Sequence, residues 1–177
     1  MMKLNLINKK YFNNNLNIIF FLFIILFSRL LPHPPNFTPI ISIAILCPIF
    51  FKKDFVSIGV IILGMFVTDL FLGFYSSMTI TYLTLIIIFY FNKAFFKIIN
   101  FKRIILTSFL SSLIFFIITN FNVWLFGNLY SKNFEGLINC YIMAIPFFHN
   151  TLISTALFST LAYFGFQKYK KIISLKI

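Results

Sequence analysis

The stretch that decides the fold is residues 29–39, which read Arg-Leu-Leu-Pro-His-Pro-Pro-Asn-Phe-Thr-Pro between two apolar runs. Proline lacks a backbone N–H donor and disfavours the α conformation in the residue before it. Residues 31–35 are therefore predicted to end any helix and to form a stiff, extended connector. At the edge of a bilayer such a connector can hold polar side chains where a helix could not.

The composition on both sides of this connector is that of a membrane protein. Of the 177 residues, 60% are hydrophobic and only three are acidic, and the mean hydropathy is +0.98. A water-soluble domain of this size does not need so apolar a chain. The net charge of +12 could indicate nucleic-acid binding, but the basic residues lie between the apolar runs and form no long basic face. The expected partner is the lipid bilayer, and no nucleic-acid partner is expected.

Six apolar runs are predicted to cross this bilayer, at residues 16–31, 37–51, 55–74, 79–91, 104–126 and 147–166. The second run is short against the roughly 20 residues that a span needs, which predicts a tilted or partly re-entrant helix. The fourth could extend toward Phe96. The last run begins at residue 137 and contains Pro146, so residues 137–145 are predicted to form either an interfacial helix or the start of the sixth span.

The expected fold class is an all-α membrane protein, a bundle of about six transmembrane helices over residues 16–166. Residues 1–15 are predicted to be a cytoplasmic tail and residues 167–177 a basic cytoplasmic tail. A basic head before an apolar run is also typical of a cleavable signal peptide. No small-x-small cleavage site follows Phe27, so an uncleaved first helix is expected.

The distribution of basic residues predicts the topology. With the amino terminus inside, thirteen of the fifteen basic residues fall on the cytoplasmic side, and only Arg29 and Lys132 fall outside. The thirteen are Lys3, Lys9, Lys10, Lys52, Lys53, Lys93, Lys97, Lys102, Arg103, Lys168, Lys170, Lys171 and Lys176. Loops rich in lysine and arginine stay in the cytoplasm. Both termini are therefore expected in the cytoplasm of a bacterium, with the chain as a multi-pass protein of the inner membrane.

This topology places the polar side chains in the outer half of the bundle. Asp69 lies about one turn from the outer end of the third run, and an ionised carboxylate in hydrocarbon is costly. It is expected to face the bundle interior and to pair with Arg29, either as a structural ion pair or as part of a ligand contact. The candidate ligand-binding residues are Arg29, His33, Asn36, Asp69, Asn120, Trp124, Glu135, His149 and Asn150.

A metal centre, a disulfide and an enzyme active site are not expected. His33 and His149 could converge with one of the acidic residues, but two histidines without regular ligand spacing are a weak metal signal, and no metal is predicted. Cys47 and Cys140 are predicted on opposite sides of the membrane, too far apart for a disulfide. No phosphate loop, nucleophile elbow or paired-carboxylate motif occurs, so neither catalysis nor a cofactor is expected.

Four motifs are spread from residue 29 to about residue 155. They are the stretch at 29–39, Asp69-Leu-x-x-Gly73-Phe-Tyr, Thr119-Asn120-Phe-x-Val-Trp124, and Phe134-Glu135-Gly-Leu-Ile-x-Cys140-Tyr-x-x-Ala-Ile-Pro146-Phe-Phe-x-Asn150-Thr. Together they resemble an uncharacterised family of small bacterial integral membrane proteins with an Arg-Leu-x-Pro-His-Pro-Pro-Asn-Phe-Thr-Pro signature. The resemblance names relatives and implies no activity.

A looser likeness concerns the architecture. Six helices, both termini inside, a cap after the first helix and a polar outer-half pocket are similar to the substrate-binding S components of energy-coupling-factor vitamin transporters. Those subunits typically present alanines spaced by three on the first helix for docking to a coupling subunit. Here that helix carries Phe20, Phe21, Phe23 and Phe27, so docking would need another face.

Two functions are compatible with these residues. The first is a binding subunit that captures a small anionic or zwitterionic metabolite in the outer-half pocket. It would need separate energising transporter subunits, because the chain has no nucleotide motif and no second intramembrane acid for a proton relay. The alternative is a structural or assembly protein of the membrane, whose polar cluster only holds the helices together.

Overall fold

The computed structural model describes residues 2–3, 14–51, 53–95 and 98–174. These residues form six helices, α1 (Asn14–Leu30), α2 (Ile40–Phe50), α3 (Asp54–Leu72), α4 (Met78–Phe95), α5 (Phe101–Phe126) and α6 (Phe134–Ser174). Two strands of two residues each, β1 (Met2–Lys3) and β2 (Ile98–Ile99), pair antiparallel. Apart from this short ladder, the predicted all-helical class is confirmed.

Three helices are long and apolar enough to cross a membrane: α3, α5 and the segment Phe134–Lys168 of α6. The other three are apolar but shorter, with Asn15–Leu30, Ile40–Phe50 and Met78–Ala94 as their apolar segments. The fourth predicted run extends beyond residue 91, since α4 continues to Phe95. By length and composition, this is the helix content of a membrane protein.

Parts of the predicted tails and basic loops lie outside the described residues. These parts include Phe96 and five lysines of the predicted cytoplasmic set, Lys9, Lys10, Lys52, Lys97 and Lys176. Of the predicted amino-terminal tail, residues 2–3 form β1 and residues 14–15 begin α1. Of the predicted carboxy-terminal tail, residues 167–174 continue α6.

Helix α2 is the centre of the bundle. Every residue from Ile40 to Cys47 is buried, as is Ile49, and α2 contacts each of the other five helices. A helix that is apolar on all sides belongs in a core. Its 11 residues span about 16 Å, roughly half of a bilayer's hydrocarbon core. The predicted tilted or partly re-entrant second helix is therefore a short helix enclosed by its neighbours.

The connector between α1 and α2 is non-helical, as predicted, but it is not extended throughout. Phe37 N donates to Pro34 O at 3.0 Å, which closes a turn, and Thr38 N donates to Asn36 O at 3.0 Å. Asn36 has φ of 62°, a left-handed conformation that asparagine tolerates better than most side chains. We call residues 31–39, which include the predicted residues 31–35, the connector. It bends back before α2 begins.

Helix α6 runs without a break through Pro146, so residues 137–145 are continuous with the predicted sixth run. The segment before the proline packs on α5: Tyr141 Oη donates to Ile117 O at 2.8 Å, and Cys140 Sγ lies 3.5 Å from Asn120 O. Proline is tolerated inside a membrane helix when neighbouring elements support the segment around it. The packing of α5 against α6 on both sides of Pro146 provides that support.

The two cysteines are buried and free, Cys47 in α2 and Cys140 in α6. At the end of the bundle away from the connector, Lys93 near the end of α4 forms an exposed ion pair with Asp54 at the start of α3. Helices α3 and α4 are thus antiparallel neighbours, and their other ends meet near the connector.

Candidate functional site

The last turns of α1 and α3 bring Arg29 and Asp69 together. Arg29 Nη2 lies 2.7 Å from Asp69 Oδ1, and Asp69 is fully buried while the Arg29 side chain is 14% exposed. The predicted pairing and the predicted inward orientation of Asp69 are both confirmed. A buried carboxylate requires such a partner, because moving an unpaired charge out of water costs several kcal/mol. That cost is similar in size to the whole free energy of unfolding of a typical domain.

Further partners complete this ion-pair cluster, which we define as Arg29, Met65, Thr68, Asp69 and Tyr82. Tyr82 Oη donates to Asp69 Oδ2 at 2.5 Å, and Arg29 Nη1 donates to Met65 O at 3.1 Å and to Thr68 Oγ1. Both charged groups therefore have more than one partner. Since Tyr82 comes from α4, the cluster ties together α1, α3 and α4.

A cavity of about 380 Å³ lies beside the ion-pair cluster. This volume falls in the range of small-molecule sites. The connector and all six helices contribute to its walls, which mix hydroxyl and amide groups with phenylalanine rings and aliphatic side chains. The lining residues are Arg29, His33, Asn36, Thr38, Ile40, Ile41, Met65, Leu72, Tyr75, Thr81, Phe115, Phe116, Thr119, Asn120, Val123, Phe147, Phe148 and Thr151.

Four of the predicted ligand-binding residues line this cavity: Arg29, His33, Asn36 and Asn120. Asp69 does not; it lies behind Arg29 and is fully buried. Its role in the cavity is therefore indirect, because it positions the guanidinium.

Asn150 contacts the connector and does not line the cavity itself. Its Nδ2 donates to Pro35 O at 3.0 Å. One turn later Ser154 Oγ, which donates to Thr151 O at 3.0 Å, lies 3.4 Å from Asn36 O. These two contacts hold the connector against α6. Asn150 thus supports the wall that His33 and Asn36 form.

The remaining three predicted residues lie elsewhere. Trp124 Nε1 donates to Ser131 O at 3.0 Å, and Lys132 Nζ donates to Trp124 O, so both residues shape the loop between α5 and α6. Glu135 is exposed in the first turn of α6, and His149 is exposed further along the same helix. None of the three lines the cavity.

Sequence reasoning did not select Tyr75, Thr81, Thr119 and Thr151, which line the cavity. Tyr75 lies in the turn between α3 and α4 and is 39% exposed. Partial burial raises the pKa of Tyr75 above its ordinary value; the nearby Thr81 side chain and the charge of Arg29 lower it, and the charge of Asp69 raises it. At neutral pH the phenol is therefore a neutral hydroxyl.

The chemistry of this site is hydrogen bonding and apolar contact. Within residues 14–51, 53–95 and 98–174, no three histidine, cysteine, aspartate or glutamate side chains come together as a set that could hold a metal ion. The charged groups are occupied by one another, and the cavity presents hydroxyl, amide and aromatic groups beside them. Such walls suit the recognition of a small molecule.

An apolar helical chain with three membrane-length helices and a polar cavity between them is a helical membrane protein. The chain belongs to the family of unknown function DUF6580, whose model matches residues 9–174 and so covers all six helices. Comparison with curated proteins and with solved structures found no match.

Proposed function

We propose that this protein is a multi-pass protein of the bacterial inner membrane that binds a small molecule in the cavity beside Arg29. As in the S components of energy-coupling-factor transporters, it would act as a binding subunit and depend on separate energising subunits. The single observation that carries this proposal is the cavity of about 380 Å³, with its polar lining inside an otherwise apolar bundle. A membrane protein places polar groups at such depth where they contact substrate or water.

The position of the connector supports the proposal. Non-helical backbone is tolerated at membrane depth only where protein buries it or where it lines a cavity. His33, Asn36 and Thr38 of the connector line the cavity, and α2 beyond them is too short to cross a bilayer by itself. Interrupted helices of this kind frame substrate sites in secondary transporters.

The arrangement of charges supports a topology of six spans with both termini in the cytoplasm. The exposed pair of Asp54 and Lys93 lies at one end of α3 and α4, and the contact of Asp69 with Tyr82 lies at the other end. The lysine-rich end would face the cytoplasm. The cavity would then open toward the outer surface, from which a binding subunit receives its ligand.

Docking to an energising subunit would use a face other than that of α1. The side chains of Phe20, Phe23 and Phe27 are each more than half exposed on α1 and form a bulky surface suited to lipid tails. Phe23 and Phe27 stack there with ring centroids 5.2 Å apart, so this face carries bulky rings where close helix contact favours small residues.

The test is mass spectrometry of small molecules released from protein purified in a mild detergent. We compare wild type with Thr119→Trp, which fills the cavity, and with Ile117→Trp, which adds the same ring to an exposed position of the same helix. We expect a molecule released by wild type and Ile117→Trp and absent from Thr119→Trp. If all three release the same background, the binding proposal is overturned.

A second candidate is a structural or assembly role, and the saturated ion-pair cluster is the observation in its favour. Arg29, Asp69 and Tyr82 join three helices, and such a cluster can serve only to fix their positions. Under this proposal the cavity holds water. The same release experiment separates the two roles, because a structural protein yields no molecule that depends on Thr119.

A further inference from the structure

We propose that the cavity takes an uncharged small molecule with several O–H or N–H donors, such as a polyol, a nucleoside or a primary amide, in preference to an anion. The inference rests on the proposed function and names the ligand class of the same site. It differs from the anionic or zwitterionic metabolite expected from the sequence. Three features of the walls carry it: the direction of their hydrogen bonds, their charge and their aromatic surface.

Three of the described threonines that line the cavity, Thr81, Thr119 and Thr151, already donate their hydroxyl hydrogen. Thr81 Oγ1 donates to Ser77 O at 2.9 Å. Thr119 and Thr151 donate in the same way, to the carbonyls of Phe115 and Phe147, each four residues earlier in its own helix, at 2.7 and 2.9 Å. A hydroxyl has one hydrogen and two lone pairs, so each of these groups can meet a ligand only as an acceptor.

The amide of Asn120 is oriented in the same sense. Its Nδ2 donates one of its two hydrogens to Phe116 O at 2.8 Å, and Oδ1 is an acceptor. Asn120 and Thr119 are consecutive on α5, and Thr151 lies on the neighbouring α6, so acceptors from two helices line one cavity. A ligand that carries donors can satisfy these acceptor oxygens, whereas a carboxylate or phosphate oxygen has no hydrogen to donate to them.

The charge of the cavity also disfavours an anion. Among the lining residues that the structure describes, Arg29 alone carries a permanent charge, and its guanidinium is occupied by Asp69, Thr68 and the Met65 carbonyl. An anionic ligand would have to compete with a carboxylate only 2.7 Å from Arg29 and would lie close to that buried negative charge. Like charges in a poorly solvated site repel strongly.

Phenylalanine rings supply the apolar part of the walls. Phe115 and Phe116 come from α5, and Phe147 and Phe148 come from α6. The rings of Phe116 and Phe148 are in contact, with centroids 4.7 Å apart. Such surfaces pack against the flat face of a heterocycle or the C–H face of a sugar ring. The ligand class is therefore compact and uncharged, with donors at its edge.

In the test, the purified protein is mixed with pairs of probes that share a ring system and differ in charge: benzamide with benzoate, adenosine with adenosine monophosphate, and glucose with glucuronate. The protein is reconstituted in nanodiscs, equilibrated with the mixture, separated and analysed for retained probes. We expect retention of at least one uncharged member above its anionic partner. Preferential retention of anionic members overturns the ligand class and leaves the binding proposal standing.

Variants of Thr119 test whether retention of the uncharged probe depends on its acceptor oxygen. Thr119→Val removes the oxygen and keeps the shape, Thr119→Ser keeps the oxygen, and Thr107→Val makes the same change at a buried site on α5 outside the cavity. We expect Thr119→Val to lower retention of the uncharged probe about tenfold, with Thr119→Ser and Thr107→Val near wild type.

The other possible results also decide between the ligand class and the proposed function. Equal retention by Thr119→Val and wild type overturns the role of the acceptors. If no probe is retained although wild-type protein releases a molecule of its own, the ligand class is overturned alone. If neither occurs, the proposed function fails and the inference fails with it.

Discussion

A Cβ atom added to Gly64 would lie 2.7 Å from Cδ1 of Ile25, so the missing side chain of Gly64 is what lets α1 approach α3. Ile25 is fully buried at this contact. Arg29 follows Ile25 by one turn of α1, and Thr68 follows Gly64 by one turn of α3. The same close approach therefore brings the guanidinium within reach of its partners.

Gly64→Ala is expected to destabilise the protein by about 1–3 kcal/mol, because overpacking forces the two helices apart. The matched control is Gly59→Ala on the same helix, where an added Cβ meets nothing within 4 Å. That change should be neutral or slightly stabilising, since alanine is the better helix former. The measurement is the midpoint of thermal unfolding in one detergent. Equal midpoints for the two variants would contradict the close contact.

Asp69→Asn is expected to cost about 3–5 kcal/mol, because it leaves the charge of Arg29 poorly compensated in a buried site. The control Asp54→Asn breaks the exposed pair with Lys93 and should cost within about 1 kcal/mol. Thermal unfolding of the two variants under the same conditions provides the comparison.

The double variant Arg29→Met, Asp69→Leu extends this test. Removing both charges avoids the stranded ion, so much of the stability lost in Asp69→Asn should return. A double variant as unstable as Asp69→Asn would show that the pair contributes more than charge compensation.

Asn36→Ala is expected to destabilise the protein by about 1 kcal/mol, because alanine at φ of 62° brings Cβ close to the following carbonyl. Asn36→Gly removes the same side chain from the cavity but adopts positive φ without strain, and should unfold close to wild type. The midpoint of thermal unfolding measures both. Should Asn36→Gly fall as far as Asn36→Ala, the side chain and not the backbone would be responsible.

Single cysteines at Lys132 and Lys53 test the topology. We expect a membrane-impermeant thiol reagent, applied to intact spheroplasts, to label Lys132→Cys and to label Lys53→Cys only after lysis. Both positions are exposed, and the two native cysteines are buried, which keeps the background low. Labelling of Lys53→Cys in intact cells would mean that the number of spans, or their direction, differs from the proposal.

The features predictable from the sequence are those that depend on position along a helix. Proline chemistry places the end of α1 near residue 31, and the structure ends it at Leu30. The cost of an isolated charge predicts that Asp69 faces inward to a cation, and Arg29 was the cation at matching depth. Both inferences need only the position of a residue along its helix and the energetic cost of a proline or an isolated charge there.

The features that escaped prediction depend on rotation about a helix axis. Trp124, Glu135 and His149 do not line the cavity, whereas Thr119 and Thr151 do. When both faces of a helix are apolar, the sequence holds little information about which face turns inward. The contact of Tyr82 with Asp69 was more predictable from the sequence, because the two residues lie on either side of a short turn.

The bonds that secure the connector have a consequence for biosynthesis. Pro35 O accepts from Asn150 Nδ2, and Ser42 Oγ at the start of α2 donates to Thr155 O. Both partners lie on α6, more than one hundred residues downstream. The ribosome synthesises α6 after the five other helices. The connector therefore lacks its hydrogen bond to α6 during most of translation. The cavity is thus completed late in synthesis, and nascent chains that stop short of residue 150 lack the groups that close it.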